Sequence, residues 1–243
     1  MKLRLSLFTA MCAMSASAVA GDWSYTGNDS PEHWGDLSPV YAACRSGKNQ
    51  SPVNLSAATA TAGNSAEFHY DPLDYTVENN GHTIQATPAQ NPQALKLGEK
   101  TFAFKQFHFH TPSEHTFHNK YFPMEVHFVH QSEQGELAVL GVMFNEGEPN
   151  PALEPLLAKK LKAGEKVSLA QKLDVQALFP KGLSHFRLNG SLTTPPCSEG
   201  VNWVVFKTPV SASKAQIDAM REMIGQNNNR PLQPLNARIV AEK

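Results

Sequence analysis

Gln106-Phe107-His108-Phe109-His110 alternates polar and aromatic side chains without a break. Successive side chains of a strand point to opposite faces, so this stretch predicts a strand with Gln106, His108 and His110 on one face. Phe107 and Phe109 point the other way, where they can be buried. Two imidazoles so spaced can reach one metal ion. Pro123-Met124-Glu125-Val126-His127-Phe128-Val129-His130 is the natural neighbouring strand. By the same alternation Glu125, His127 and Val129 share a face, and His130 lies on the opposite one. The intervening segment is polar and carries Pro112 and Pro123, as a connection between paired strands would. Three histidines on two paired strands leave a fourth tetrahedral position open, which is how catalytic zinc sites are built, whereas structural sites are closed. Gln106 and Glu125 each stand two residues before a candidate ligand on its own face, placed to accept the free ring N–H of a metal-bound histidine.

Outward from these strands the rhythm continues. Phe68–Tyr70, Tyr75–Glu78, Thr83–Ala86, Phe102–His110, Met124–His130, Leu137–Phe144 and Val201–Lys207 are short runs rich in Phe, Val, Tyr and Thr. Turn residues separate them, which reads as a mostly antiparallel β fold. Pro151–Leu161 and Ser213–Ile224 look helical. In the second, Ile217, Met220 and Ile224 share a face and Gly225 is a C-terminal stop. The expected architecture is mainly β, a single domain on a large, twisted, mostly antiparallel sheet of about ten strands with a few short peripheral helices. Seventeen prolines and fifteen glycines are scattered, so no linker divides the chain.

The first twenty residues are expected to be a cleaved signal peptide rather than fold. Lys2 and Arg4 precede an apolar run from Leu5 to Met14, and Ala18-Val19-Ala20 supplies small residues before Gly21. That run is too short to span a bilayer, which takes roughly 20 residues. No lipoprotein box surrounds Cys12, so no membrane anchor is expected, and a periplasmic location follows. Residues 21–243 then form the domain, with 19 basic against 22 acidic side chains once Lys2 and Arg4 are lost. No basic block marks a nucleic-acid or anionic-membrane partner. Cys44 and Cys197 remain in an oxidising compartment, as a disulfide or as two buried thiols. His33, His69, His118 and His185 fit no metal pattern and are read as packing or solvated groups, and His82 after Asn79-Asn80-Gly81 reads locally as an ordinary turn histidine.

In this order the motifs resemble those of the alpha-class carbonic anhydrases, in particular secreted bacterial members. Gln106–His110, Ser113-Glu114-His115 and Glu125–His130 are similar to that family's metal-site strands. Ser191-Leu192-Thr193-Thr194-Pro195-Pro196-Cys197 is similar to its active-site loop, and Asn79-Asn80-Gly81-His82 to the segment carrying its proton shuttle. Trp23-Ser24-Tyr25, His33-Trp34, Gln50-Ser51-Pro52-Val53 and Asn229-Arg230-Pro231 extend the likeness from about Trp23 to about Arg238.

The resemblance implies Zn2+ on His108, His110 and His127, with Gln106 and Glu125 as acceptors behind His108 and His127 and backbone near Asn228 behind His110. It implies a Thr193 hydroxyl bridging zinc-bound hydroxide and Glu114. Tyr25 and Thr194 would order active-site water. Val129, Val139, Leu192, Val201 and Trp203, with Thr194, would line the carbon dioxide pocket. His82 becomes a proton shuttle, and His115 and His130 structural histidines. A Cys44–Cys197 disulfide and cis peptides at Ser51-Pro52 and Pro195-Pro196 are implied too. The activity so implied is reversible hydration of carbon dioxide to bicarbonate by zinc-hydroxide attack, in a monomer or homodimer.

Two other readings stand beside it. His108-x-His110-x3-Glu114 fits the metal motif of cupins, although the glycine usual before that motif is missing and no second cupin motif follows. A non-catalytic binding module on the carbonic anhydrase scaffold would be expected to have lost a zinc ligand, and here all three histidines are present.

Overall fold

The computed structural model describes residues 22–56, 58–61, 66–90 and 93–243. The expected leader and its cleavage site lie outside them. Thirteen strands are described, and they form one sheet. They are β1 (Thr59–Ala60), β2 (Ala66–Phe68), β3 (Tyr75–Asn79), β4 (Ile84–Pro88), β5 (Ala94–Leu97), β6 (Lys100–His110) and β7 (Met124–Gln131). β8 (Leu137–Glu146), β9 (Lys166–Ser168), β10 (His185–Ser191), β11 (Glu199–Phe206), β12 (Val210–Ala212) and β13 (Ala241–Glu242) complete it. The main path runs β1-β13-β10-β11-β8-β7-β6-β4-β3-β9, with β12 on β8, β5 on β6 and β2 on β5. Pairing is antiparallel except for β11 with β8, β12 with β8 and β1 with β13. The mainly β, single-sheet expectation holds, and the strands beyond ten are short or peripheral.

β6 shows why the sequence folds as it does. Phe102 and Phe104 are buried, but so are Phe107 and Phe109, and an uninterrupted period of two cannot place all four on one side. A bulge between Phe104 and Gln106 inserts the exposed Lys105 and resets the phase. All four phenylalanines thus enter one core, and Gln106, His108 and His110 are turned to the opposite face.

That core also holds Val126 and Phe128 of β7, Leu140, Val142 and Phe144 of β8, and Val204 and Phe206 of β11. It is covered by α4 (Lys214–Ile224), which follows the short helices α1 (Trp34–Leu37), α2 (Ala43–Ser46) and α3 (Glu154–Leu157). The predicted helical face of α4 is the one that packs: Ile217, Met220, Met223 and Ile224 are buried, each stabilising by roughly 1.5–3 kcal/mol. Ser213 and Gln216 cap its start reciprocally, and Gly225 ends it at φ 78°. The other expected helix is shorter, a 3-10 turn over Pro151–Leu153 running into α3.

A second apolar cluster occupies the histidine face. It contains Val139, Met143, Val201, Trp203 and Val205, with Val129 and Leu192 at its margin.

Candidate metal centre

His108 stands directly opposite His127 in the β6–β7 ladder, and His110 opposite Glu125. Register alone therefore gathers the three histidines on one face of two adjacent strands. One nitrogen of each ring is committed outward. His108 Nδ1 faces Gln106 Oε1 at 2.9 Å, His110 Nδ1 faces the Asn228 carbonyl oxygen at 2.7 Å, and His127 Nε2 faces Glu125 Oε1 at 2.8 Å. An imidazole has two ring nitrogens, so His108 Nε2, His110 Nε2 and His127 Nδ1 are the ones left over. One ligand atom from each ring lies within 4.8 Å of the others. His110 Nε2 is buried with no hydrogen-bond partner, which a neutral ring would not tolerate cheaply without an ion to receive its lone pair. Three neutral nitrogen donors, each oriented by a fixed acceptor, suit zinc.

Glu125 is wholly buried, and all its acceptor capacity is used. Oε2 accepts from the main-chain N–H groups of Glu114 and His115 at 2.8 and 2.9 Å. Oε1 faces His115 Nδ1 at 2.9 Å and His127 Nε2 at 2.8 Å. Burial acts to raise its pKa, but the His127 and His115 charges and hydrogen bonds hold the carboxyl well below the usual range. It is therefore a fixed anion behind His127. The group His115, Glu125 and His127 also has metal-ligand composition, but these contacts account for it as a hydrogen-bonded chain. Burial pushes His108 well down and His110 down, which keeps both as neutral donors. For His127 burial acts downward, and the Glu125 carboxylate overcomes it and raises the value.

Glu114 lies beside this triangle. Its Oε2 is 3.5 Å from His110 Nε2 and 3.9 Å from His127 Nδ1, and its Oε1 accepts from the Arg230 main-chain N–H at 2.9 Å. Glu114 Oε2 is buried and has no hydrogen-bond partner among the described residues, so the expected bond from Thr193 is not made in this arrangement.

A cavity of about 140 Å³ opens over the histidines, lined by Trp23, Tyr25, His82, Gln106, His108, His110 and Thr194 among others. His82 stacks on Trp23 with centroids 3.8 Å apart, and its Nδ1 has no partner. Burial lowers its pKa, with Asp22 acting in opposition. Burial, then Glu114, pushes the Tyr25 phenol well up, so it stays a hydroxyl.

A family profile described as eukaryotic-type carbonic anhydrase matches residues 29–243. The chain belongs to the alpha-class carbonic anhydrases. A carbonic anhydrase of Neisseria gonorrhoeae is 43% identical over 243 residues, covering 99% of this chain and 96% of the relative. The solved alpha-carbonic anhydrase of Thermovibrio ammonificans, in complex with sulfanilamide, superposes with a TM-score of 0.88 at 44% identity, covering 91% and 99% of the two chains. That of Photobacterium profundum gives 0.86 at 45% identity, covering 90% and 100%. The protein is thus a carbonic anhydrase, and the cupin reading falls away.

In this carbonic anhydrase the residues expected around carbon dioxide do meet. Val129, Val139, Leu192, Val201 and Trp203 belong to one apolar cluster, and the Trp203 ring lies 4.8 Å from that of His127. Thr194 lines the cavity over the histidines. Cys44 and Cys197 are joined by a disulfide, which ties the active-site loop to the N-terminal segment. Ser51-Pro52 and Pro195-Pro196 are cis, and so is Thr111-Pro112, which was not expected. His115 and His130 are buried; His130 Nε2 contacts the Tyr70 hydroxyl at 2.6 Å.

The Asn228 backbone stands behind His110 as the resemblance implied, while sequence reasoning gave no role to the Asn228 amide, Arg230 or Gly141. Asn228 holds His110 through its carbonyl and, through its amide, donates to the carbonyls of His82 and Phe109. Arg230 is buried, with its guanidinium on Gln50, the Ser51 carbonyl and the Cys44 carbonyl. Gly141 pairs with His127 on β8. None has a local pattern that announces it.

Proposed function

We propose that His108, His110 and His127 hold a zinc ion, and that this site hydrates carbon dioxide reversibly with His82 relaying the proton. The observation that carries the reading is the triangle of ring nitrogens left over when the three outward nitrogens are bound to Gln106, Asn228 and Glu125. When bound, zinc supplies Lewis acidity that lets water ionise near pH 7, an effect for which carbonic anhydrase is itself the reference case. Glu125 keeps His127 oriented and adds negative charge behind it. Trp203, Val139 and Val201 give an apolar substrate a dry seat beside the histidines, since carbon dioxide has no charge to recognise. His82, half-buried, with an unpartnered Nδ1 and a pKa that burial lowers, is an uncharged base on the wall of the same cavity.

Glu114, beside His110 and His127, and the buried Thr193 of the active-site loop are the candidates for orienting the attacking oxygen. The Cys44–Cys197 disulfide supports export to an oxidising compartment, the periplasm in the reading proposed. Among the described residues no helix is long and apolar enough to cross a membrane.

The test is stopped-flow hydration of carbon dioxide on metal-quantified protein, with and without a chelator and after zinc is restored. One bound zinc per chain, activity lost on chelation and recovered on repletion is the expected result. Hydration that persists in metal-free protein would refute it, as would full zinc loading in His127→Ala.

A further inference from the structure

We infer that Thr83 and Asn228 are positioning residues for the proton relay: their side chains fix the His82 turn to Phe109, the residue between His108 and His110. This deepens the relay role proposed for His82 and rests on it. β4 and β6 pair through Gln85 with His108 and Ala86 with Phe107, and the described ladder goes no further. Closer to His110, side chains take its place. The Thr83 hydroxyl accepts from the Phe109 N–H at 3.1 Å and donates to the Phe109 carbonyl at 2.5 Å. The Asn228 amide donates to that same carbonyl at 2.9 Å and to the His82 carbonyl at 3.0 Å. Its Oδ1 accepts from the Thr111 N–H at 2.8 Å. One buried side chain thus bridges both flanks of His110 and the main chain of His82.

These bonds leave little slack in the His82 main chain. Its N–H donates to Asn80 Oδ1 at 3.0 Å, as the Thr83 N–H does, and its carbonyl is held by Asn228. Gly81 makes the turn at φ 88°, with its N–H on Asn79 Oδ1. The ring is then placed by stacking on Trp23. Thr83 lines the cavity with His82, but its hydroxyl is engaged by Phe109, so it acts through His82 rather than on the proton. Thr83 and Asn228 are both buried, where losing one partner leaves the other unsatisfied. A relay through water depends on the gap between the ring and the metal centre, and a misplacement of about 1 Å can cost about 10²-fold in rate. Anchoring at Phe109 sets that gap through the main chain that carries His108 and His110.

The experiment combines amide hydrogen exchange with stopped-flow hydration of carbon dioxide on the full mature protein. Thr83→Val keeps the side-chain shape without the hydroxyl. In metal-free and zinc-loaded protein alike it should speed exchange of the His82 amide by at least about tenfold, although that amide bonds Asn80 and not Thr83. It should lower kcat by about three- to tenfold with kcat/KM nearly intact, and added imidazole should restore the loss. Thr83→Ser, which keeps the hydroxyl, should match the parent. Asn228→Asp keeps the acceptor for Thr111 and loses both donations, so its folded form should show the same split between kcat and kcat/KM. In a His82→Ala background Thr83→Val should lower kcat no further, because no ring is left to position. His82→Ala alone tests the relay: a kcat equal to the parent's removes that reading and this inference with it. With the relay upheld, the inference is overturned if Thr83→Val keeps the parent's kcat or His82 exchange rate. It is also overturned if kcat and kcat/KM fall together, or if the full effect persists without His82.

Discussion

Gly141 stands directly across from His127 in the β7–β8 ladder, and a Cβ built on it would come within 3.1 Å of Glu125 Oε1. That oxygen already sits between His115 and His127, so it has no freedom to retreat without breaking a bond that orients the ring. The strand is a glycine there because the carboxylate needs the space.

Gly141→Ala should accordingly act on the metal rather than on the fold. Partners behind metal-bound histidines typically account for about 10–100-fold in affinity. Zinc affinity of Gly141→Ala, measured by competition with a chromophoric chelator, should fall by about tenfold, with far-UV circular dichroism unchanged. An affinity equal to the parent's would mean that Glu125 is not held as tightly as its four contacts imply.

His130 predicts a pH dependence with a definite sign. Burial lowers its pKa from 6.5 to about 3, so the native state keeps it neutral, with Nε2 accepting from the Tyr70 hydroxyl. The unfolded chain binds a proton near pH 6.5 and the native chain does not until about pH 3. Its contribution is thus complete above pH 6.5 and is lost as pH falls toward 3, by roughly 4–5 kcal/mol at full extent. Urea denaturation across that window should show the loss. His130→Gln, which keeps an acceptor for Tyr70 without a titrating group, should flatten the slope by about one proton; an unchanged slope would sink the assignment.

Much of this was legible in the sequence because it is local. Alternation in Gln106–His110 and Glu125–Val129 fixed which side chains share a face, and the acceptors two residues upstream came with them. The bulge at Lys105 was not expected, although Phe102, Phe104, Phe107 and Phe109 break a strict period of two. What could not be read is contact across long separations. Asn228 reaches His110 and Arg230 reaches Glu114 from more than a hundred residues away, through main-chain atoms that carry no side-chain signature; the first was implied only by the family resemblance, and the second was not expected. β10 was missed for another reason: His185-Phe186-Arg187-Leu188-Asn189-Gly190 mixes charge and glycine, and its burial depends on β11 and β13 on either side.

The Cys44–Cys197 disulfide closes a separation of 153 residues. In the chain-entropy account a loop of that length contributes roughly 5 kcal/mol by restricting the unfolded chain. A double replacement, Cys44→Ser with Cys197→Ser, should lower unfolding free energy by several kcal/mol in guanidinium titrations. Because Cys197 N–H donates to the Thr194 carbonyl within the active-site loop, activity of the folded variant should fall as well. Equal stability of the two proteins would show that the bond constrains neither state.

His82 offers the sharpest kinetic separation. It lines the cavity over His108 and His110 but is not among the three grouped nitrogens, so its removal should spare the step that converts carbon dioxide and slow the return of the site to its basic form. Transfer by a positioned acid–base group contributes about 10²–10⁴-fold where it limits the rate. His82→Ala should therefore lower kcat by at least about tenfold with kcat/KM for carbon dioxide nearly intact. The ring loses its stacking on Trp23 in that variant, leaving room at the mouth for a small buffer. Added imidazole should restore kcat in proportion to its concentration. A parallel fall in kcat and kcat/KM, insensitive to imidazole, would instead make His82 part of the cavity's architecture and leave the relay to another group.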